Sequence, residues 1–235
     1  MKNVELPFIQ EMFNSIAPRY DLLNRLLSFR QDVYWRKKMI SALALPDNGK
    51  VLDMACGTGD VMLEIYRQKG RNVTIIGSDF SPAMLQLARQ KISSRAIADT
   101  TTLIAGNALH MPFKPDSFDA VTIAFGIRNI ADKQRALTAF YNRLKKGGRL
   151  AVLELTTPPK GLFLSLYLFY FKKILPIIGW LISGNTKAYH YLPDSVLHFP
   201  ESSKFAGIMK AAGFRNIRWR RLTIGIVTLY LGEKP

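Results

Sequence analysis

Short apolar runs alternate with longer stretches of helical spacing over most of this 235-residue chain. Apolar runs of about four to eight residues, bounded by turn residues, predict buried strands. The predicted strands are VLDM (51–54), NVTIIGSD (72–79), TTLIAGNA (101–108), FDAVTIAF (118–125), RLAVLEL (149–155), FRNIRWRRL (214–222) and IGIVTLYLG (224–232). Strands that alternate with helices indicate an α/β fold with a parallel sheet covered on both faces, here ending in a hairpin-like pair.

Helical spacing extends over residues 8–45, where Pro18 should bend or break the first helix. Ser81 and Pro82 are typical of a helix start, as N-cap and first-turn proline, before the segment AMLQLARQKI. Another helix is predicted over about residues 202–212. These segments therefore supply helices on both sides of the predicted sheet.

The fourth and fifth strands are joined by a predicted helix. Asp132 is placed to cap its start, and helical spacing continues to Lys145. Gly147 and Gly148 then predict a turn into the fifth strand.

Residues 158–200 interrupt the alternation and form a predicted lid. The run LFLSLYLFYF (162–171) is apolar on every face, but Lys172, Lys173 and Pro176 divide it from the apolar residues that follow. A membrane-spanning helix needs about 20 uninterrupted apolar residues, so we reject that interpretation. Two interpretations remain: an interfacial element in lipid, or a packed apolar cover or homodimer surface.

One domain is predicted for the whole chain, because no linker or internal repeat divides it. Its predicted parts are a helical cap (1–45), a cofactor-binding core (46–157), the lid or substrate insertion (158–200) and a C-terminal helix with strands (201–235).

The stretch VLDMACGTGD (51–60) predicts a strand, a tight glycine turn and a helix start. Gly57 and Gly59 allow a ligand to approach the backbone, and the amides of a helix start favour polar groups. Asp79 ends the second strand about 20 residues later, where nucleotide-binding units place an acid on the ribose hydroxyls. Asp53 precedes the turn and suits a ligand with an ammonium group.

The type of nucleoside follows from the spacing of the glycines. Met62 stands where the dinucleotide fingerprint requires glycine or alanine, and the sequence contains no phosphate-binding loop. The pattern D-x-x-x-G-T-G resembles motif I of class I methyltransferases that use S-adenosylmethionine (SAM). That resemblance implies a Rossmann-like seven-stranded sheet, with the helical cap and the apolar lid as additions. An ordinary glycine-rich turn is the alternative.

Ligands of such sheets lie beyond the carboxyl ends of the strands. The residues that follow Asp53, Asp79, Asn107 and Phe125 should therefore share one crevice. We expect Asn107 and Ala108 to lie near the adenine, where an amide side chain can hydrogen-bond the base. A plain turn asparagine is the alternative.

The chain carries a net charge of +16, from 33 Lys and Arg against 17 Asp and Glu. This excess favours nucleic acid or an anionic membrane surface, although it is also compatible with a plain solvated surface. Cys56 is the only cysteine, so no disulfide framework exists. The start of the chain shows no apolar signal region, and we expect a cytoplasmic location.

Nucleic-acid methylation is weakened as an interpretation by three features. The segment after the fourth strand reads AFGIRN and lacks the [DNS]-P-P-[YFW] motif of amino-methylating DNA enzymes. Cys56 lies inside the glycine loop, where it could not attack a base. The three histidines show no metal-site spacing, so we expect no metal.

Four segments together resemble the C-methyltransferases of menaquinone and ubiquinone biosynthesis: FNSIAPRYDLLNRLLS, GTGD, FDAVTIAFGIRNIADK and YHYLPDSVLHFP. The resemblance implies methylation of a ring carbon of a polyprenylated quinol, such as demethylmenaquinol, with S-adenosylhomocysteine as by-product. It also implies SAM contacts at Thr58, Asp79, Asn107 and Ala108. The family often has serine where this chain has Ala124, and usually glycine where Arg30 stands.

The chemistry of such a transfer suggests roles for several residues. A quinol carbon becomes nucleophilic when a neighbouring hydroxyl loses its proton, so the site needs a proton acceptor and a cation or donor for the phenolate. Arg128 can supply the charge but not act as a base, and Asn129 could orient the hydroxyl. Tyr189, His190 and Tyr191 are candidate proton carriers. A surface salt bridge at Arg128, and lid packing for the other three, are the alternatives.

Either Tyr20 or Phe125 could face the sulfonium of SAM through a cation–π contact. The leading hypothesis is a SAM-dependent quinol C-methyltransferase, peripherally bound to the inner face of the membrane. An RNA methyltransferase, suggested by the basic strand 215–221, and a non-catalytic quinone or SAM binder are the alternatives.

Overall fold

The computed structural model describes residues 6–174 and 186–235, without the side chains of Leu6 and residues 186–190. Its sheet has seven strands in the order β3-β2-β1-β4-β5-β7-β6. The predicted seven-stranded sheet is confirmed. Its strands are β1 (Gly49–Met54), β2 (Val73–Asp79), β3 (Thr101–Ala105), β4 (Phe118–Ala124), β5 (Leu144–Leu155), β6 (Arg215–Leu222) and β7 (Val227–Glu233).

Strand direction determines where a ligand can bind. Strands β1 to β5 pair in parallel, whereas β7 is antiparallel to both β5 and β6. The strand order reverses at the neighbouring pair β1 and β4, because the chain adds β2 and β3 on one side and β4 and β5 on the other. At such a switch point the loops beyond the carboxyl ends separate and leave a crevice.

Helices flank the sheet as the apolar spacing predicts. They are α1 (Leu6–Ile16), α2 (Tyr20–Leu27), α3 (Gln31–Ser41), α4 (Asp60–Lys69), α5 (Pro82–Ser94), α6 (Lys133–Arg143), α7 (Leu162–Phe169), α8 (Thr186–Leu197) and α9 (Ser202–Ala211). Pro18 lies in a short 3₁₀ turn between α1 and α2, which confirms the predicted break. Ser81 Oγ accepts the Met84 amide (3.2 Å), and Asp132 Oδ1 accepts the Arg135 amide (2.9 Å), as predicted for both caps.

The core has two layers, one on each face of the sheet, and a third cluster lies over the carboxyl ends of the strands. One layer includes Phe118, Phe140 and Tyr230, and the other includes Met39 and Ile65. The third joins α1, α2, α7, the turn that follows α7, and α8 through Met12, Ile16, Leu23, Tyr167, Phe171 and Val196. Burial of this third cluster holds the cap and the lid together above the carboxyl ends of the strands.

Strand β5 starts earlier than predicted. Helix α6 ends at Arg143 rather than Lys145, because Leu144 already pairs with Phe118 of β4. The pairing resumes at Arg149, and Gly147 (φ +76°) lies in the irregular stretch between. The two glycines therefore form a bulge within β5, not a turn that precedes it.

The lid contains α7, a π-helical turn (Tyr170–Ile174) and α8. Pro176 and the apolar residues 177–182 lie outside the described residues. Within residues 6–174 and 186–235, none of the helices has both the length and the apolar character needed to cross a bilayer.

Arg30 precedes α3 in a left-handed conformation (φ +61°), which costs an L-residue about 1 kcal/mol. The left-handed backbone therefore explains why the family usually has glycine at this position. We expect Arg30→Gly to raise the free energy of unfolding by up to about 1 kcal/mol in urea titrations. Arg95→Gly is the control: Arg95 has φ −105°, so the same change should lower stability. Equal effects of the two substitutions would contradict this explanation.

Candidate active site

The loop between β1 and α4 folds sharply because several residues adopt positive φ. Ala55, Gly57 and Gly59 have φ of +54°, +55° and +85°. The Cys56 amide donates to the Ser78 carbonyl (3.1 Å), which fastens the loop to the end of β2. The backbone of the loop is thereby held at the switch point of the sheet.

Asp79 joins the two segments that are predicted to bind a nucleoside. Its Oδ2 accepts the Gly57 amide (2.8 Å), and its Oδ1 accepts the Ser81 amide (2.8 Å). Burial raises the pKa of Asp79, and these backbone N–H groups oppose that shift. The carboxyl group is thus fixed in position at the end of β2.

A cavity of about 220 Å³ lies beside this loop, and we call it the cofactor cavity. Four of the residues predicted to bind the cofactor line it: Gly57, Asp79, Asn107 and Ala108. Asp53, Thr58 and Gly59 do not belong to its lining. The structure therefore brings together residues from the ends of β1, β2 and β3.

Asn107 contributes both to the turn after β3 and to the cavity. Its Oδ1 accepts the Leu109 amide (2.9 Å), which supports the turn. Among the described residues no hydrogen bond engages its Nδ2, so this group can donate to a ligand. The plain turn role and the predicted base-binding role are thus compatible.

Asp53 lies behind the cofactor cavity and is almost fully buried. Its Oδ1 accepts the Thr122 hydroxyl (2.7 Å), whereas Oδ2 has no partner among the described residues. Burial raises the pKa of Asp53 to about 7. An unpaired buried carboxylate oxygen is costly, and a nearby ammonium group would supply the missing partner.

The raised pKa of Asp53 predicts a pH dependence of stability. The unfolded carboxyl titrates near 3.8 and the folded one near 7, so the folded state binds the extra proton between these values. The contribution of Asp53 to stability is then fully present below pH 4 and declines by up to about 1.4 kcal/mol per pH unit as the pH approaches 7. We expect Asp53→Asn to remove this decline in urea titrations from pH 4.5 to 7.5. Asp99 is exposed, so Asp99→Asn is the control. An unchanged pH dependence of the unfolding free energy in Asp53→Asn, or an equal change in Asp99→Asn, would contradict this explanation.

Thr58 and Gly59 serve the attachment of the cap. Thr58 Oγ1 donates to Asp21 Oδ1 (2.6 Å) and accepts from Lys91 Nζ (2.9 Å). Lys91 also contacts Asp60 Oδ1 (2.7 Å), and Gly59 is the N-cap of α4. The Thr58 hydroxyl is therefore engaged by α2 and α5.

Further ion pairs extend this network into the cap. Burial alone would raise the pKa of Asp60, but Arg36 and Lys91 lower it to about 2. Arg36 also pairs with Asp32, and Arg25 pairs with both aspartates. Helices α2 and α3 are thus fixed over the glycine loop by buried charge, a connection that sequence spacing did not reveal.

A second cavity of about 370 Å³ lies beneath the cap and the lid, and we call it the apolar cavity. Its walls come from α1, α2, α3, α7 and α8, with side chains such as Leu27, Phe163 and Leu192. Phe13, Tyr20 and Phe125 line both cavities. The two cavities are therefore neighbours that share an aromatic wall.

Arg128 lines the apolar cavity, where Glu154 pairs with it. Its Nη1 lies 2.8 Å from Glu154 Oε1 and also donates to the Phe125 carbonyl, and its Nε donates to Ser195 Oγ (3.3 Å). Burial opposes the charged form, but Glu154 raises the pKa of Arg128 overall. The guanidinium is thus a fixed, permanently charged group in an apolar surrounding, rather than part of a surface salt bridge.

Glu154 is a residue that the sequence reasoning missed. It is fully buried in β5, and its Oε2 also accepts the Arg128 amide (3.1 Å). The available signal was an acid within the apolar run AVLEL, since a buried charge needs a partner.

Asn129 and Tyr191 connect the two cavities. Asn129 lines the cofactor cavity, Tyr191 lines the apolar cavity, and the Tyr191 hydroxyl donates to Asn129 Oδ1 (3.0 Å). Burial raises the pKa of Tyr191, while Arg128 lowers it. Tyr189 and His190, also predicted near the reaction, have side chains outside the described part of the structure.

Tyr20 is a cap residue that belongs to the shared wall. Burial raises the pKa of Tyr20, while a hydrogen bond with Asn24 and the charge of Arg128 lower it. Phe125 follows the last residue of β4 and has a left-handed backbone conformation (φ +57°). Both residues thus line the two cavities, and the cation–π contact of one of them with a sulfonium stays a prediction.

The sheet order, the glycine loop and the acid at the end of β2 together define a class I SAM-dependent methyltransferase fold. A solved structure of a SAM-dependent methyltransferase from Thermotoga maritima superposes with a TM-score of 0.69, at 20% identity, over 96% of this chain and 99% of that one. At this identity the likeness concerns the fold alone.

Sequence comparison defines the family within that class. The family model described as "ubiE/COQ5 methyltransferase family" matches residues 1–234. A Geotalea daltonii protein named ubiquinone/menaquinone biosynthesis C-methyltransferase is 48% identical, over 96% of both chains. A Thermus thermophilus protein named demethylmenaquinone methyltransferase is 45% identical, over 95% of this chain and all of that one. The chain belongs to the ubiE/COQ5 methyltransferase family, which confirms the predicted resemblance.

Proposed function

We propose that this protein transfers the methyl group of SAM to a ring carbon of a polyprenylated quinol. Demethylmenaquinol is the first candidate substrate, and the benzoquinol precursor of ubiquinone is the second. One observation carries the proposal: the cofactor cavity beside the glycine loop and the apolar cavity share the wall of Phe13, Tyr20 and Phe125. A donor in the first would meet a ring in the second at that wall.

The residues around the cofactor cavity suit SAM. Asp79 would accept from the ribose hydroxyls, Gly57 allows close approach, and Asn107 and Ala108 would contact the adenine. The unpaired Oδ2 of Asp53 suits the ammonium group of the amino-acid portion. When bound, SAM supplies an electrophilic methyl group and leaves as S-adenosylhomocysteine. Thr58 and Gly59 would contribute by fixing the loop and α4 around it.

The apolar cavity supports a role for Arg128 in charge stabilisation. A quinol hydroxyl that loses its proton directs electron density onto the neighbouring ring carbon. Arg128 would hold the resulting phenolate charge, because its buried guanidinium stays protonated beside Glu154. Its positions on Glu154 and the Phe125 carbonyl prevent it from turning away.

Asn129 and Tyr191 would handle the hydroxyl proton. Their hydrogen bond joins a residue that lines the apolar cavity to a residue that lines the cofactor cavity. Asn129 would orient the quinol hydroxyl, and Tyr191 or His190 would relay its proton, directly or through water. After the transfer, the methylated ring carbon would lose its own hydrogen as a proton, which restores the aromatic ring, and the oxygen would be protonated again. The cap and the lid would exclude bulk water from this step.

The prenyl tail of the quinol would lie against the apolar side chains that line the rest of the apolar cavity. Each buried methylene contributes about 0.8 kcal/mol, so a few prenyl units would hold the quinol firmly. The substrate itself resides in a bilayer, and the net charge of +16 favours anionic headgroups. We therefore propose action at the cytoplasmic face of the membrane, on a lipid substrate and not on nucleic acid.

The test is to incubate purified protein with SAM carrying a labelled methyl group, together with a reduced demethylmenaquinol analogue or with total RNA. Mass spectrometry should find the label on the quinol ring, with one S-adenosylhomocysteine released per product. The oxidised quinone should not react, because it lacks the hydroxyl that forms the phenolate. Label on RNA alone, or binding of SAM without turnover, would overturn the proposal in favour of the alternatives named above.

A further inference from the structure

Several large apolar side chains remain exposed around the entrance of the apolar cavity. Leu22 and Leu26 lie one turn apart on α2, and Phe29 follows the end of that helix. All three side chains are exposed, and Phe29 is the most exposed of them at 76%. On α7, Leu162, Leu166 and Phe169 recur at helical spacing, with exposure from 59% to 79%. Residues i, i+4 and i+7 share one face of a helix, so α7 presents an apolar stripe.

These two elements meet at the cavity. Phe29 and Leu166 line it as well as being exposed, so both stand at its entrance. The rings of Phe29 and Tyr170 have centroids 6.4 Å apart, and the Tyr170 hydroxyl donates to the Leu27 carbonyl (3.0 Å). The end of α2 and the end of α7 therefore form one continuous apolar border.

A third segment, the turn between β6 and β7, joins the same border. Thr223 lines the cavity, and the next residue, Ile224, is 68% exposed. Both have positive φ (+44° and +56°), which is costly for β-branched residues. Hydrogen bonds of the Thr223 hydroxyl with Trp35 (2.8 Å) and Gln31 (3.2 Å) hold the turn. The fold thus sustains a strained backbone at Thr223 and Ile224, and the Ile224 side chain remains exposed to solvent.

The charges beside these segments are positive. Arg30 follows Phe29, Lys172 and Lys173 follow Phe169, and Arg221 precedes the turn; all four are exposed. Within residues 20–34, 161–174 and 220–226 of the described chain, the acids are Asp21 and Asp32, and both are in ion pairs. A second copy of the chain would bring like charges together, whereas an anionic surface would neutralise them.

We infer that this border is a membrane-docking surface, which inserts Leu22, Leu26, Phe29, Leu162, Leu166, Phe169 and Ile224 into an anionic phospholipid bilayer so that the apolar cavity opens directly onto the lipid. The inference rests on the proposed function, because a prenylated substrate gives the opening its purpose. Apolar insertion and headgroup attraction add, as for interfacial helices. The occupant is the lipid surface itself, not a bound protein.

The test uses flotation with vesicles of phosphatidylcholine, with or without phosphatidylglycerol. The wild-type protein should bind the anionic vesicles, and less so at high salt. Leu162→Ser combined with Phe169→Ser should weaken binding about tenfold or more, since neither residue lines the cavity. Trp219→Ser is the matched control: Trp219 is 45% exposed on β6, outside the border, and its loss should leave binding unchanged.

Ile224→Asn separates docking from folding. Asparagine tolerates positive φ, so this variant should melt no lower than the wild type, yet bind anionic vesicles several-fold less. All these variants should methylate a short-tailed quinol in detergent at the wild-type rate. Vesicle binding without quinol methylation would sink the proposed function but leave the surface intact. Binding that survives all the border substitutions, a wild type that ignores vesicles, or a dimer that the same substitutions dissociate would overturn the inference.

Discussion

Removal of the Arg128 charge is expected to lower kcat on a quinol by about 100-fold to 1,000-fold, while the affinity for SAM stays within about threefold of the wild-type value. Loss of one group that stabilises developing negative charge in a buried site typically has this effect. Arg128 lines the apolar cavity and not the cofactor cavity, which is why SAM binding should be spared. Turnover and calorimetric titration with SAM give the two numbers.

The choice of variant matters because Arg128 and Glu154 are both buried. Arg128→Ala leaves the Glu154 carboxylate without its partner, and breaking such a pair costs about 3–5 kcal/mol of stability. Arg128→Gln combined with Glu154→Gln keeps a hydrogen-bonded neutral pair, so a fold close to that of the wild type should persist. If this double variant turned over quinol at the wild-type rate, Arg128 would have no part in the chemistry.

A more exposed ion pair provides the control. Lys145 Nζ and Asp119 Oδ2 lie 2.9 Å apart at the amino ends of β4 and β5, remote from both cavities. Neutralising both residues should change neither kcat nor the SAM affinity. A comparable loss of turnover there would indicate a general effect of charge.

Replacing Asp79 with alanine should raise the Kd for SAM about 100-fold or more. Its carboxylate fixes Gly57 and Ser81 through backbone hydrogen bonds of 2.8 Å and faces the cofactor cavity. Each hydrogen bond to a charged group contributes about 1.5–3 kcal/mol, so loss of the bonds to a ribose accounts for the expected change. Calorimetry with SAM and with S-adenosylhomocysteine measures it.

Asp119→Ala is the comparison for this second result. Asp119 also accepts a backbone amide from a neighbouring strand, that of Lys50 at 2.8 Å, but at the opposite end of the sheet. Its substitution should cost some stability and leave the SAM affinity unchanged. Asp79→Asn retains one acceptor and should fall between alanine and the wild type. Unaltered SAM binding in Asp79→Ala would exclude the proposed cofactor site.

Local sequence signals predicted most of the fold. The apolar runs located all seven strands, and Ser81, Asp132 and Pro18 marked helix boundaries through capping and ring geometry. These signals act within a few residues, so spacing alone captures them. The early start of β5 escaped, because it depends on the pairing of Leu144 with Phe118.

The site was less predictable where its contacts join distant segments. Gly57, Asp79, Asn107 and Ala108 meet in one cavity because strand ends share an edge, which topology predicts. The Arg128–Glu154 pair and the hydrogen bond of Thr58 with Asp21 join residues 26 and 37 positions apart. No spacing rule covers such pairs. The shared aromatic wall likewise depends on how the cap packs on the sheet.

The most direct test of the central claim, that the two adjoining cavities bring SAM and a prenylated quinol together, is mass spectrometry of quinones from cells that lack this protein. Such cells should accumulate quinone one ring methyl group short, with its prenyl tail intact. The wild-type gene should restore the methylated quinone, whereas Arg128→Gln combined with Glu154→Gln should not. An unchanged quinone profile in the deleted cells would contradict the account.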